Sequence, residues 1–529
     1  MIDCARQDMP ITALKDAVMA ARFWKVRYLH LHFLEDSAFV FPMKAFKSGT
    51  SNGACFNGDT PMVWDLEELK NLVTFADARG VTLVPEIETP GHASALMRDV
   101  PAIAGGRLID LIKPEVDPVL DNVIGEVCEV FKSSPFFHIG GDEIQFEGRP
   151  NILAYVKEHG LGDGTTVEPQ NIKDALLKQF FLRVNEMVKK RGKKSIFWGG
   201  WQGPPQIPEL NDCIIYSWFR GARQAQDAGF ATITVPWDIN DTFPNWNIYS
   251  SNEAKLKPTD RVLGGSRMMW EQSAETIVNR WLPVMAERQE RTWGPNTVVF
   301  EPEFRGRMKI CQERMNKLIR PVQIKEEVKV IDKVGERSYY SEPATVTMSA
   351  DLPHGCSIRW TLDGSEPKAT SKKYESPLTL NGKLRIRGAV FDESGTMVGG
   401  ITFGEKYDQI ISQKNLTTGK PVSASSVEAK GTKEALLAEY AADGFVGRIA
   451  AIPDGTIPMV WAALKPPQWW QVDLLDVVKI DRIEVIPWPE GGRSFQYTVE
   501  VTTDQKTWIK VVDESANTKS ETGEGHMHK

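Results

Sequence analysis

Over roughly the first 300 residues, short apolar runs rich in β-branched and aromatic residues alternate with longer amphipathic stretches. This alternation is typical of βα units on a parallel sheet. Strands are predicted over residues 1–5, 26–33, 82–88, 136–141, 195–200, 213–218, 232–237 and 262–270. Helices are predicted over residues 11–25, 65–79, 117–132, 172–191, 222–228 and 275–292. Eight such repeats predict an α/β fold, a (β/α)8 TIM barrel.

Beyond the barrel the hydrophobic period shortens to two residues, which indicates all-β structure. A run of alternating residues leads into the turn Asp363-Gly364, and further alternating runs cover 469–474, 480–486 and 497–504. We therefore predict two small β-sandwich domains after the barrel. The predicted boundaries are residues 1–318 for the barrel, 319–339 for a Lys-, Glu- and Val-rich connector, 340–411 for an Ig-like sandwich and 412–529 for a second sandwich.

Charge and cysteine usage exclude several classes of function. The 63 basic and 70 acidic residues are mixed along the chain and give a net charge of -7, so there is no basic surface for nucleic acid. No apolar run reaches the ~18 residues of a transmembrane helix, and the first residues lack the pattern of a signal peptide. The six cysteines are scattered without metal-ligand spacing, which indicates free thiols rather than a zinc site or a disulfide framework.

Polar and aromatic residues cluster where the predicted strands end. In a TIM barrel the chemistry lies at the carboxyl ends of the strands, and aromatic rings there suit the faces of sugars. The residues concerned are Glu35, Asp36, Glu88, His92, Asp142, Glu143, Trp198, Trp201, Trp218, Asp238, Asn240, Trp270, Glu271 and Gln272. The sequence thus predicts a carbohydrate site at this end of the barrel.

The adjacent carboxylates Asp142 and Glu143 are the strongest candidates for catalysis. Cleavage of a glycosidic bond needs an acid for the leaving oxygen and a group that stabilises the positive centre. Neighbouring side chains on a regular strand point to opposite faces, but Gly140 and Gly141 precede the pair and allow the backbone to deviate. We therefore expect both carboxylates to face the pocket, one as acid and base and the other as a holder of a substrate amide.

The run His138-Ile-Gly-Gly-Asp-Glu143 resembles the signature of glycoside hydrolase family 20, the β-N-acetylhexosaminidases. Further runs resemble this family in the same order along residues 1 to 300. These runs are Met1-Ile-Asp-Cys-Ala-Arg6, Leu29-His-Leu-His-Phe-Leu-Glu-Asp36, Val84-Pro-Glu-Ile-Glu-Thr-Pro-Gly-His92, Val235-Pro-Trp-Asp-Ile-Asn240 and Gly264-Gly-Ser-Arg-Met-Met-Trp270.

The resemblance implies an exo-acting, retaining enzyme that hydrolyses terminal β-linked GlcNAc or GalNAc through an oxazolinium intermediate, without a metal or an organic cofactor. Glu143 would be the acid and base, and Asp142 would hold the 2-acetamido N–H. The expected partner is a glycan, and the expected location is secreted, periplasmic or cell-surface.

Supporting roles are implied as well. His138, hydrogen-bonded by Glu88, would tune Glu143, and His92 would pair with Glu35. Trp198, Trp218 and Trp270 would form the wall of the sugar pocket. Substrate contacts are also expected from Asp36, Trp201, Asp238, Asn240, Glu271 and Gln272.

The chain departs from the family pattern at positions that select the sugar. An Arg expected three residues before Met1 is missing, Asp238 replaces a Tyr, Gln272 replaces a carboxylate, and Glu replaces Asp at positions 35 and 88. We therefore expect altered specificity or a modest rate. Open alternatives are a preference for 6-sulfo-GlcNAc or lacto-N-biose units, a non-hydrolytic glycan-binding protein, and an unrelated barrel enzyme.

The two C-terminal segments resemble the Ig-like domain of bacterial chitobiase-type enzymes and a discoidin-like (F5/8 type C) carbohydrate-binding module. The first resemblance rests on residues 360–367, and the second on residues 469–475 and 497–508. The closing strand of the second sandwich is still due at Lys529, so we expect truncation at both ends of the chain. Sugar binding and a spacer role remain equal alternatives for these domains.

Overall fold

The structure is a computed structural model of the 529-residue chain. It describes residues 1–49, 63–144, 147–199, 207–217, 222–235, 261–272, 274, 277, 285–286, 289–290, 292–293, 301–334, 337–380, 385–398, 403–406, 416–417, 419–427, 429–430, 434–435, 438–442, 461–463, 468–487, 494–519 and 526–528. Within these residues the chain forms two compact units, which meet in the sequence between Ile319 and Arg320.

The first unit is built on a parallel sheet of eight strands in sequence order. The strands are β1 (Ile2–Asp3), β2 (Tyr28–His32), β3 (Thr82–Glu86), β4 (Phe136–His138), β5 (Lys194–Gly199), β6 (Ile214–Ser217), β7 (Ala231–Thr234) and β8 (Val262–Gly265). The sheet closes where Met269 N–H donates to Met1 O at 3.0 Å and Asp3 N–H donates to Met269 O at 3.3 Å. The predicted barrel and the order of its strands are confirmed.

Helices cover the outside of this sheet. They are α1 (Ile11–Phe23), α2 (Leu66–Asp77), α3 (Ser94–Asp99), α4 (Val116–Val130), α5 (Pro150–Glu158), α6 (Gln170–Lys189), α7 (Ala222–Asp227) and α8 (Glu301–Ile319). The Asp65 side chain caps α2, because it accepts hydrogen bonds from two N–H groups of the first turn. The sequence pattern did not predict α3, α5 or α8, and the helix predicted over 275–292 lies largely outside the described residues.

Strand alternation separates the barrel interior from the layer beneath the helices. On β2, Leu29 and Leu31 alternate with His30 and His32, and all four are buried. An apolar cluster inside the barrel includes Val84, Ile196, Trp198, Ile214, Tyr216 and Val235. The buried rings of His30 and His138 pack against Trp198 of this cluster. The apolar core therefore contacts the polar side chains inside the barrel.

Within its described residues the second unit consists mostly of β-strands, with one 3₁₀ helix at Ala438–Ala442. The segment predicted as a connector contains β9 (Gln323–Val334), which pairs antiparallel with β10 (Arg337–Ser349). Alternating Val and Ile residues in β9 are compatible with a strand despite the many charges. The remaining strands of the first β domain are β11 (Ser357–Thr361), β12 (Lys372–Lys373), β13 (Leu378–Leu380), β14 (Arg385–Phe391) and β15 (Phe403–Lys406).

The segment after residue 412 forms short antiparallel pairs in the described residues. Its strands are β16 (Val422–Ala424), β17 (Ala429–Lys430), β18 (Glu434–Ala435), β19 (Trp470–Val472), β20 (Ile483–Val485), β21 (Thr498–Val501), β22 (Ile509–Asp513) and β23 (His526–His528). The exact domain boundaries stay a prediction.

Five cysteines carry free thiols, namely Cys4, Cys128, Cys213, Cys311 and Cys356, and Cys55 lies outside the described residues. Among the described helices, none combines the length and the apolar character that a bilayer-spanning segment needs.

Candidate active site

The carboxylate pair follows a sharp change of backbone direction after β4. Gly140 and Gly141 have φ values of +84° and +103°, and Glu143 has a φ of +44°. A Cβ atom on Gly140 would lie 2.0 Å from an oxygen of Glu88, so no other residue fits this position without displacing that carboxyl. The predicted deviation of the backbone at this glycine pair is therefore confirmed.

Glu143 ends a line of three side chains that reaches from the protein surface into the interior. His92 Nε2 lies 3.3 Å from Glu143 Oε2, and His92 Nδ1 lies 3.2 Å from Glu35 Oε1. Glu143 is half exposed, whereas Glu35 is buried and forms an ion pair with Arg6. His92 thus bridges the catalytic candidate to an internal carboxylate.

This line is strongly polarised. The hydrogen bond from His92 lowers the pKa of Glu143 below its ordinary value. Burial alone would lower the pKa of His92, but its bonds to Glu143 and Glu35 raise that pKa to about 11. In the free protein the proton therefore resides on His92, between two carboxylates.

Asp142 has the opposite electrostatic character. Burial raises its pKa to about 6, and the surrounding carboxylates Glu86, Glu35 and Glu143 add to the effect of burial. Burial and the neighbouring Asp142 also raise the pKa of Glu88 well above its usual range. Glu88 accepts a hydrogen bond from Gly141 N–H at 2.7 Å. This bond fixes the Glu88 carboxyl next to the turn that carries Asp142 and Glu143.

The predicted hydrogen bond between His138 and Glu88 is wrong. His138 Nδ1 instead lies 3.0 Å from Glu86 Oε1. Glu86 and His138 are register partners on adjacent strands, and Glu88 lies two residues beyond the paired level. Within the described residues it is His92, not His138, that contacts Glu143.

The aromatic wall also differs from the expectation. Trp198 is only 1 % exposed, because it lies within β5 rather than beyond it and its ring enters the apolar barrel core. The prediction that Trp198 lines the pocket is therefore wrong for this structure. Trp270 is half-buried, packs against Trp198 with ring centroids 5.7 Å apart, and has the guanidinium of Arg6 5.2 Å from its ring centre.

The remaining described candidates occupy the rim. Asp36 is exposed and accepts a hydrogen bond from Ser94 N–H at 3.1 Å at the start of α3. Glu271, with φ +57°, is half-buried beside Arg6, and burial raises its pKa to about 7. Gln272 donates its side-chain amide to Trp270 O at 2.9 Å. Trp201, Trp218, Asp238 and Asn240 lie outside the described residues.

Sequence reasoning missed Arg6, His32 and Glu86. All three are in contact with predicted site residues, namely Glu35, Glu271 and His138. Arg6 contacts Asp3, Glu35 and Glu271. The signal for His32 and Glu86 was present, because each is a polar residue inside an otherwise apolar strand, where an isolated charge is costly. Polar side chains of this kind mark a connected network inside the barrel.

Comparison with known proteins gives three family matches along the chain. The catalytic domain of glycosyl hydrolase family 20 matches residues 1–296. The chitobiase/beta-hexosaminidase C-terminal domain matches residues 336–400, and the F5/8 type C domain matches residues 421–529.

Individual relatives are more distant. A beta-hexosaminidase of Porphyromonas gingivalis is 25 % identical over 439 residues, which are 73 % of this chain and 54 % of that protein. The beta-hexosaminidase subunit beta of Rattus norvegicus is 24 % identical over 328 residues, which are 56 % of this chain and 58 % of that protein. The chain thus spans little more than half the length of these relatives.

Among solved structures, the beta-N-acetylhexosaminidase from Bacteroides fragilis has a TM-score of 0.50 at 23 % identity. The match covers 60 % of this chain and 69 % of that one. This likeness concerns the fold.

Proposed function

Since the chain belongs to glycosyl hydrolase family 20, we propose that it is an exo-acting, retaining β-N-acetylhexosaminidase that removes terminal β-linked GlcNAc or GalNAc from glycans. One observation carries this proposal. The line Glu35–His92–Glu143 ends at a half-exposed carboxyl next to Asp142, just beyond the carboxyl end of the barrel strand β4. Substrate-assisted hydrolysis requires a carboxyl that can donate a proton and a second carboxyl beside it. Glu143, supplied with a proton by His92, and Asp142 meet these requirements.

Glu143 is the acid and base of the proposed reaction. In the free protein it is ionised, and the proton lies on His92. A bound sugar excludes water from Glu143 and raises the pKa of that carboxyl. The proton then passes from His92 Nε2 to Glu143, which protonates the glycosidic oxygen as the bond to C1 breaks. In the second step Glu143 takes a proton from the water that attacks C1.

Asp142 is the positioning carboxylate for the substrate. Once ionised, it accepts a hydrogen bond from the 2-acetamido N–H, so that the acetamido carbonyl oxygen faces C1 and displaces the leaving group. Its negative charge also stabilises the positive oxazolinium ring that forms. Its raised pKa means that this form predominates above about pH 6.

Other residues of the proposed site are expected to contact the sugar and to select it, and several of them differ from the family pattern. Trp270 offers a half-buried ring as a stacking surface. Glu271 is the nearby carboxyl for outer hydroxyls, because the amide of Gln272 is engaged with the backbone. Asp238 and Asn240 are proposed as further substrate contacts from their place in the sequence. Glycan binding by the C-terminal domains, and a secreted, periplasmic or cell-surface location, belong to the same proposal.

The proposal is tested by Glu143→Gln with aryl β-N-acetylglucosaminides of poor and good leaving groups. Loss of the acid should lower kcat about 10²–10⁴-fold for the poor leaving group and much less for the good one. Glu147→Gln is the matched control, because Glu147 lies four residues further along, is partly exposed and pairs with the exposed Arg107 at 3.8 Å. The control should keep wild-type kinetics.

Two outcomes contradict the proposal. Full hydrolysis of the poor leaving group by Glu143→Gln would remove Glu143 from the mechanism. Tight glycan binding by the wild-type chain without turnover of any aryl glycoside, including 6-sulfo-GlcNAc and lacto-N-biose derivatives, would favour a non-hydrolytic binding protein.

A further inference from the structure

Glu86 is a fully buried carboxylate that lies below the predicted site and has no role in the reaction described above. It ends β3 and is 0 % exposed. His32 Nδ1 lies 2.5 Å from one of its oxygens, and Trp198 Nε1 donates to the other at 2.6 Å. His30 Nε2 and His138 Nδ1 each lie 3.0 Å from Glu86 as well. Side chains from β2, β4 and β5 therefore converge on one carboxylate.

The charge on this carboxylate is balanced within the barrel. Burial opposes ionisation, but His138, His32 and His30 together hold the pKa of Glu86 well below its usual range. Burial also opposes the charge on His32, yet Glu86 raises the pKa of His32 to about 10. Burial lowers the pKa of His30 to about 3, so His30 stays neutral. Glu86 and His32 thus form a buried ion pair.

His32 also faces carboxylates other than Glu86. Asp3 on β1 favours its charge, and Glu35 follows at the end of β2. Glu88 lies close to the same imidazole. Two further cations contact these carboxylates: Arg6 pairs with Asp3 and Glu35, and the charged His92 contacts Glu35. The state of His32 is therefore set by this acidic group, of which Glu86 makes the shortest contact.

From this ion pair two connections lead to the proposed site. His32 Nε2 lies 3.8 Å from Glu35 Oε1, the oxygen that contacts His92. The ring of Trp270 packs edge-on against His32 with centroids 5.0 Å apart, and Trp198 packs against the same ring. Displacement of Glu86 would therefore disturb both the proton-carrying line and the sugar-stacking ring.

We propose that Glu86 is a positioning residue of this site. Through His32 and Trp198 it fixes the positions of two features, the Glu35–His92–Glu143 line and the Trp270 ring. The kinetic part of this inference rests on the proposed hydrolase function. Its protonation part does not, because the charge on His32 can be measured without substrate.

The cluster of side chains around Glu86 is less suited to binding a metal ion than to holding the Glu86 carboxylate by hydrogen bonds. Ligand atoms of His30, Glu86 and His138 lie close enough together to hold one. However, both oxygens of Glu86 already accept hydrogen bonds from His32 and Trp198, and a charged His32 would repel a metal ion. The donors around Glu86 fit an anion rather than an additional cation.

The test compares Glu86→Gln with Asp16→Asn in ¹⁵N-histidine-labelled full-length chain. Asp16 is the matched control, because it is a buried carboxyl of the same barrel unit on α1, away from the network. The eight histidines allow assignment of His32 by the signal that disappears in His32→Gln. Wild type and Asp16→Asn should show two protonated ring nitrogens on His32 at pH 8, whereas Glu86→Gln should show a neutral ring.

The kinetic readout uses the same variants with an aryl β-N-acetylglucosaminide. Glu86→Gln should lower kcat and raise KM, giving an about 10- to 100-fold loss in kcat/KM through misplacement of the reacting groups, while Asp16→Asn should change neither. Glu86→Asp keeps the charge, so it should keep His32 protonated and recover part of kcat. It also provides the comparison if Glu86→Gln does not fold.

A charged His32 in Glu86→Gln, or identical kinetics in Glu86→Gln and Asp16→Asn, would overturn the inference. If Glu86→Gln does not fold, a neutral His32 in Glu86→Asp would overturn it equally. Absence of turnover by the wild-type chain would defeat the proposed function alone, because the His32 measurement would still decide the role of Glu86.

Discussion

Replacement of Gly140 by alanine tests the link between the backbone turn and the carboxylate pair. A side chain at φ +84° costs ~1–2 kcal/mol. The added Cβ would lie 2.0 Å from the Glu88 carboxyl, whereas real contacts of this kind stay beyond 3.0 Å, so Glu88 must retreat by at least 1 Å. That movement breaks the 2.7 Å hydrogen bond from Gly141 N–H, which costs a further ~1–3 kcal/mol in a buried site.

Together these effects lower the free energy of unfolding of the barrel by roughly 2–5 kcal/mol. Gly192→Ala is the matched control, because Gly192 also has a positive φ of +71° but no atom lies within 4 Å of the place that an added Cβ would take. Gly192 precedes β5, at the end of the barrel opposite the carboxylate pair. This control should lose only the ~1–2 kcal/mol of backbone strain.

Urea denaturation monitored by tryptophan fluorescence measures the two stabilities, and hydrolysis of an aryl β-N-acetylglucosaminide measures the function. A displacement of about 1 Å next to Asp142 should reduce kcat about 10²-fold in Gly140→Ala, while Gly192→Ala should keep the wild-type rate. If Gly140→Ala lost no more stability than Gly192→Ala and kept the wild-type kcat, the claimed contact between the turn and Glu88 would be refuted.

Two further predictions concern the titration of Asp142 and the hydrogen bond of Trp198. The pKa of Asp142 is raised to about 6, and in the proposed reaction the ionised form accepts the acetamido N–H, so kcat/KM should rise with pH through about 6. An acid limb centred near pH 4 in a pH–rate profile would contradict this assignment. Trp198→Phe removes the donor to the charged Glu86 and should cost ~1.5–3 kcal/mol in urea denaturation. Trp64→Phe, which removes a buried donor to the neutral carbonyl of Met9, should cost only ~0.5–1.5 kcal/mol, and equal losses would speak against a special role for the Glu86 bond.

Local features of the sequence were sufficient to predict the fold of the first unit and the backbone turn before the candidate carboxylate pair. Hydrophobic runs separated by amphipathic stretches fix eight strands and their order, because a βα repeat allows few other arrangements. The pair Gly140-Gly141 likewise predicts a backbone deviation before Asp142, because only glycine enters that region without strain. The strand β9 was not predicted, because its many lysines and glutamates concealed the alternating apolar residues.

Only the tertiary structure decided which polar side chains meet inside the barrel. Glu86 and Glu88 are two residues apart, so strand alternation sends both to the same face and the sequence cannot distinguish them. The register between strands makes the choice, since it sets Glu86 level with His32 on one side and with His138 on the other. Register depends on how the whole sheet closes, and closure is a property of all eight strands together. The carboxylate pair can thus be predicted from the sequence, whereas the hydrogen-bond network that supports it is determined by the strand register of the closed barrel.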